Sequence, residues 1–157
     1  MLQIFDFQPR SVAILTLYAV VRHDGSFRLI ATAELGAGIQ LFRIEGVETR
    51  TPSFASVQIG PDLHIDMDPA KDLTAQMDLY PWRFMNHSCD PNCIIDNRAV
   101  IARRSIAVGE ELTFDYNSNE YDMAEPFDCG CGSTACVGWV RGWKHRKAVA
   151  FEAHSSP

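Results

Sequence analysis

The chain has 157 residues, 46% of them hydrophobic and 22% charged, with a formal net charge of −6. That length suits one domain with a substantial core, and the composition is that of an ordinary soluble protein. The charge excludes a dedicated phosphate-backbone binder, because no surplus of Lys and Arg exists to release counterions; a basic protein or peptide partner suits it better.

No run reaches the roughly 18 apolar residues of a membrane span. Residues 12–21 are apolar but too short, and they lack a basic leader or cleavage site. The expectation is an intracellular protein, cytoplasmic or nuclear, without signal peptide or membrane segment. Five Cys would leave one over in a disulfide framework. Three of them cluster near the C-terminus, which points to a reducing compartment and a metal site.

In chain order, residues 11–21 read as a strand rich in Val, Ile, Leu, Thr and Tyr. His23-Asp24-Gly25-Ser26 is a turn signal, residues 27–33 a second strand, and residues 39–44 a third after the break at Gly36-Ala37-Gly38. Residues 53–59 and 63–67 read as short strands around a Gly-Pro-Asp turn at residues 60–62. Residues 68–79 are the best helix candidate: Asp68 can cap, Pro69 suits the first turn, and Leu73, Met77 and Leu79 form a loose apolar face. Residues 94–95, 99–102 and 112–114 read as further short strands, with turns at Asp96-Asn97 and Val108-Gly109. Residues 117–128 read as a polar loop, residues 139–151 as a terminal helix, and residues 154–157 as a frayed end. The class is mainly β with few helices.

Three segments carry chemistry. Arg83-Phe84-Met85-Asn86-His87-Ser88-Cys89-Asp90-Pro91-Asn92 places the amide and ring of Asn86 and His87 beside a strong turn former. Gly109-Glu110-Glu111-Leu112-Thr113-Phe114-Asp115-Tyr116 feeds an apolar strand into a Tyr. Cys129, Cys131 and Cys136 form a thiol cluster suited to Zn²⁺, which takes four ligands in structural sites; either Cys89 or Cys93 can supply the fourth.

The order and spacing of these segments resemble the SET-domain family of protein-lysine methyltransferases. The first is similar to the family's RFxNHSCxPN motif, the second to GEELTFDY, and the third to the post-SET CxCxxxxC zinc motif. The close match runs from about Arg83 to Trp139; upstream, only a pattern of short strands is shared. The resemblance implies a β-clip-like fold of several short sheets in which the first two motifs thread through each other, a rare exception to unthreaded connections. It implies a SET domain over residues 1–120 and a post-SET segment over residues 121–157.

It further implies methyl transfer from S-adenosylmethionine to a lysine amine of a protein or peptide. Arg83, Phe84, Asn86, His87 and Phe127 would hold the cofactor. Tyr116 would stand at the transfer point, and Phe114 at the position that sets how many methyls are added, with Phe leaning towards di- or trimethylation. Cys89 would complete a structural zinc site with Cys129, Cys131 and Cys136, leaving Cys93 as a buried thiol. No direct nucleic-acid or membrane partner is implied.

One family feature is missing. The opening GxG motif has a literal match at Gly36-Ala37-Gly38, but turn placement favours Ser26-Phe27-Arg28 for that position. Side chains would then fill space where glycines let a cofactor approach closely. Two alternatives follow: a SET fold turned to non-methyltransferase chemistry on a small molecule, or a non-catalytic SET-like binding module.

Overall fold

The computed structural model describes residues 16–145. Over these residues the chain forms twelve short strands, two short α-helices and two 3₁₀ turns, gathered into five small sheets.

β1 (Tyr18–His23) and β2 (Ser26–Ala31) form an antiparallel hairpin whose register closes at His23 and Ser26. The turn is therefore Asp24-Gly25, at φ 49° and 83°. This mirror-image turn matches the twist of the strands it joins, and glycine enters it without steric cost. Residues 11–15 of the first predicted strand lie outside the described residues.

Two three-stranded antiparallel sheets follow. One orders β3 (Gln40–Arg43), β9 (Ala99–Ala102) and β8 (Cys93–Asp96). Its β8–β9 hairpin turns at Asn97-Arg98, both at positive φ, one residue later than predicted. The other orders β4 (Val47–Thr49), β6 (Leu63–Asp66) and β5 (Val57–Gly60). β4 is absent from the sequence reading, because three residues show no readable alternation and depend on pairing with β6. The strand predicted from residue 53 begins only at Val57. Ser53 to Ser56 instead make a tight turn, in which the Ser53 and Ser56 hydroxyls accept backbone amides.

The predicted helix starts later than expected. α1 spans Leu73–Leu79, and its cap is Asp72, whose carboxylate accepts the Ala75 amide at 2.9 Å. Asp68 instead accepts the Ala70 amide, so Pro69 belongs to a preceding turn. Only Met77 of the expected apolar face packs on the core; Leu73 and Leu79 are about half exposed. A 3₁₀ turn, Pro81–Phe84, leads into β7 (Asn86–His87).

The polar loop expected over residues 117–128 carries regular structure at both ends. After β10 (Thr113–Phe114), α2 spans Tyr116–Asn119, capped by Asp115. β11 (Phe127–Asp128) then pairs antiparallel with β12 (Trp139–Val140). Thus the predicted terminal helix begins as a strand. It breaks at Gly142, at φ 103°, where a Cβ would meet the Tyr121 carbonyl oxygen at 2.5 Å. A 3₁₀ turn at Trp143–His145 follows, and residues 146–151 lie outside the described residues.

The core joins Leu29, Ile44, Ile65, Trp82, Met85, Val100 and Leu112, all essentially inaccessible. Trp82 donates its indole N–H to the Glu45 carbonyl at 3.0 Å, so the 3₁₀ turn before Asn86 is both packed and hydrogen-bonded. Among the described residues no helix is long and apolar enough to cross a membrane.

Candidate functional site

The two central motifs meet as a parallel pair. β7 and β10 align Asn86 with Thr113 and His87 with Phe114, side by side as the expected threading would bring them. Asn92 braces this pair from below. It is 2% exposed, donates to Glu110 Oε1 and the Glu111 carbonyl at 3.0 and 2.8 Å, and accepts the Thr113 amide at 2.9 Å.

Asn86 donates its amide to Glu111 Oε1 at 2.6 Å and to the Phe27 carbonyl at 3.3 Å. Arg28 stands 3.5 Å from the other Glu111 oxygen, and the Phe27 ring meets Phe84 edge-on at 5.6 Å. Ser26-Phe27-Arg28 is therefore the segment against Asn86. Gly36-Ala37-Gly38 lies elsewhere, with the Gly38 amide on the Ala102 carbonyl. Of the two candidate segments, the one at residues 26–28 is therefore the one in contact with the Asn86 side of the site.

His87 is buried. Its Nδ1 accepts the Tyr116 amide at 3.2 Å, which assigns the ring proton to Nε2, 3.2 Å from the Cys89 sulfur. Burial holds its pKa below the ordinary imidazole value, with Asp115 opposing. Tyr116 donates its hydroxyl to the Met85 carbonyl at 2.7 Å. Burial, then the charges of Glu120 and Glu111, push this phenol above its ordinary range, so it stays protonated. Rings crowd around it: Phe114 at 4.6 Å, His87 at 5.3 Å and Phe127 at 6.1 Å between centroids.

A cavity of about 160 Å³ opens here, with Arg83, Asn86, Phe114, Tyr116, Glu120 and Phe127 in its wall. Arg83 Nε is buried with no hydrogen-bond partner among the described residues, and its guanidinium lies over Phe84. Turn residues 52–56 close one side of the cavity. That side is not readable from the sequence, where residues 53–59 pattern as a strand. Nor is Glu120, placed in a loop with no motif around it.

The thiols separate cleanly. The sulfurs of Cys89, Cys129, Cys131 and Cys136 all lie within 4.8 Å of one another, Cys89 and Cys129 at 3.7 Å. Cys93 is fully buried apart from them, and burial pushes its thiol up to about 12. A tetrahedral Zn²⁺ with bonds of about 2.3 Å sets its sulfurs about 3.8 Å apart, so this donor set fits. The Cys89 and Ser133 amides hold Cys131 down at about 6, giving the cluster a thiolate at neutral pH.

Together these features define a SET-type site: a parallel pair joining Asn86-His87 to Thr113-Phe114, an aromatic cavity around Tyr116 and a four-thiol cluster. A family model described as SET domain matches residues 27–117. The chain belongs to the SET-domain family. It is 38% identical over 106 residues to "Methyltransferase flvH" of Aspergillus flavus, a match covering 65% of this chain and 53% of that protein. It is 45% identical over 69 residues to the H3 lysine-36 specific histone-lysine N-methyltransferase of Schizosaccharomyces pombe, covering 38% of this chain and 8% of that one. The chain thus spans about half the first relative and a small part of the second. Its fold matches a crystal structure of KRYPTONITE in complex with mCHG DNA and SAH at a TM-score of 0.60, with 23% identity, over 78% of this chain and 28% of that one.

Proposed function

We propose that this chain transfers a methyl group from S-adenosylmethionine to a lysine side-chain amine of a protein. The observation that carries this reading is the Tyr116 hydroxyl, which is neutral, 2.7 Å from the Met85 carbonyl, and set in a cavity shared with Asn86, Phe114 and Phe127. Relatives named as histone-lysine N-methyltransferases support it, as does a second matched structure, titled KRYPTONITE with DNA, H3(1-15) peptide and SAH. A histone-like substrate would place the protein in the nucleus.

When bound, S-adenosylmethionine supplies an electrophilic methyl group on a sulfonium. Arg83, Phe84, Asn86, His87 and Phe127 are the residues assigned to hold it. The orphaned Arg83 Nε is a donor that a bound ligand would engage, and Phe127 offers an aromatic face. The acceptor lysine must lose its proton before transfer, although its ordinary pKa is about 10.4. Apolar walls favour that neutral form and exclude water. Tyr116 does not take the proton, because its own is held so firmly. Its oxygen orients the amine instead, with the Met85 carbonyl fixing the hydroxyl direction. Phe114, packed on Tyr116, sets the room left around the amine.

The four-thiol cluster is assigned to structural Zn²⁺, held by Cys89, Cys129, Cys131 and Cys136. It ties the segment from residue 121, read as post-SET, to a point two residues beyond His87, and so onto the SET domain of residues 1–120.

Incubation of the full chain with methyl-labelled S-adenosylmethionine and mixed core histones tests the reading. Label should enter histone lysines. Tyr116→Phe should lower transfer about 100-fold or more while calorimetry shows cofactor binding nearly unchanged. Equal transfer by the variant would remove Tyr116 from its role. A second reading, transfer to the amine of a small molecule, draws on the Aspergillus flavus relative, named a methyltransferase with no acceptor in its name. Unlabelled histones with intact cofactor binding would favour it.

A further inference from the structure

Glu120 caps the end of α2 and lines the cavity that contains Tyr116. It is 6% exposed. A carboxylate so deeply buried is costly unless something satisfies it. Its Oε1 is satisfied twice, by the Gln58 amide at 2.8 Å and by Asn119 Nδ2 at 2.9 Å. Its Oε2 is not. The group facing it is His64 Nε2 at 3.6 Å, too far for a hydrogen bond.

His64 comes from the middle strand of the β4-β6-β5 sheet and is itself 6% exposed. Its Nδ1 is buried with no hydrogen-bond partner among the described residues. The pair therefore keeps unspent hydrogen-bonding capacity at His64 Nδ1, and Glu120 Oε2 has only the long ion-pair contact to His64. At the mouth of the same cavity stands a second carboxylate, the exposed Glu125. Burial raises the Glu120 pKa and lowers that of His64, where Asp62 opposes it.

We propose that Glu120, backed by His64, is the residue that selects a cationic side chain in this cavity. The proposal rests on the amine-acceptor reading above and adds the group that recognises the amine before transfer. Glu125 attracts an ammonium at the rim, and the Glu120 carboxylate receives it within the wall. A charge-assisted hydrogen bond in a site shielded from water discriminates a cation from a neutral chain of the same shape.

The probes are n-butylammonium, which copies the lysine side-chain end, and 1-pentanol, a neutral chain of similar length. Binding of each to the full chain is followed by ligand-observed NMR. Wild-type protein should prefer n-butylammonium at least about tenfold, a comparison that needs no variant. Glu120→Gln, which keeps the Oε1 acceptor, should lose that preference, and Glu120→Asp should recover part of it. Equal binding of the two probes by wild-type protein would overturn the proposal, as would a preference that survives in a folded Glu120→Gln. If the preference is present and lost in the variant while no methyl transfer occurs, the recognition role stands and the transfer reading falls.

Discussion

The chain just beyond the asparagine-histidine strand is held at two points by different physics. On one side Cys89, two residues after His87, joins a four-thiol cluster whose other members come from the loop after β11. On the other, Asn92 locks the strand to Thr113 through buried hydrogen bonds tied to Glu110 and Glu111. The cluster is partly exposed, with Cys136 at the surface, whereas Asn92 is sealed in the core. With the zinc proposed above, the first clamp would depend on an ion and could be removed without touching the core. The second is part of the core, and the fold cannot be separated from it.

The largest expected effect breaks the first clamp. Cys129→Ser should take bound zinc from about one per chain to none by elemental analysis. Amide exchange should then lose protection in β11 and β12, while the β3-β9-β8 sheet keeps it. Methyl transfer should fall with the metal, because Phe127 on β11 loses its anchor. Simultaneous loss of protection in both regions would show that the two clamps are one cooperative unit.

Asn92→Ala breaks the second clamp and should act oppositely. It removes the side-chain partner of the Thr113 amide and of the Glu111 carbonyl, while Glu110 keeps Arg104, at a cost of about 2–4 kcal/mol. The urea midpoint should shift by that amount with the zinc content unchanged in the folded fraction. A shift below about 1 kcal/mol would mean that water enters and replaces the brace.

The first clamp was legible in the sequence and the second was not. Thiols at short spacing name their chemistry, so the cluster could be read from Cys129, Cys131 and Cys136; residue types alone left Cys89 and Cys93 equivalent as the fourth ligand. Folding separates them by burying Cys93 in β8. Asn92 read only as a turn former, because its partners come from a strand far along the chain. Glu120 was hidden for the same reason: His64 and Gln58 reach it from another sheet. Helix α1 was read with the wrong cap because Asp68 and Asp72 are both competent, and Pro69 suits either the turn or the helix that follows. The strand-by-strand β character was legible because alternation and turn chemistry are local.

The smallest expected effect concerns pH and sharpens the second clamp. Arg104 lies 2.7 Å from Glu110, and its guanidinium, with Asn92 and the Ala107 amide, holds the Glu110 carboxyl below its ordinary value. Because the folded pKa is the lower one, the unfolded chain binds the proton more readily. The stabilisation is thus fully present above about pH 4.5 and is lost as pH falls through the folded value. Arg104 is half exposed, so solvent screening limits the contribution to under about 1 kcal/mol. Glu110→Gln removes the titration but keeps an acceptor for Asn92. Urea midpoints for both proteins at pH 7 and pH 3 should therefore converge as pH falls. Acid also protonates the thiol cluster, but both proteins carry that cluster, so its contribution cancels in the difference. Parallel pH curves would show that Asn92 is held by its backbone partners alone, and would confine the second clamp to Glu111 and Thr113.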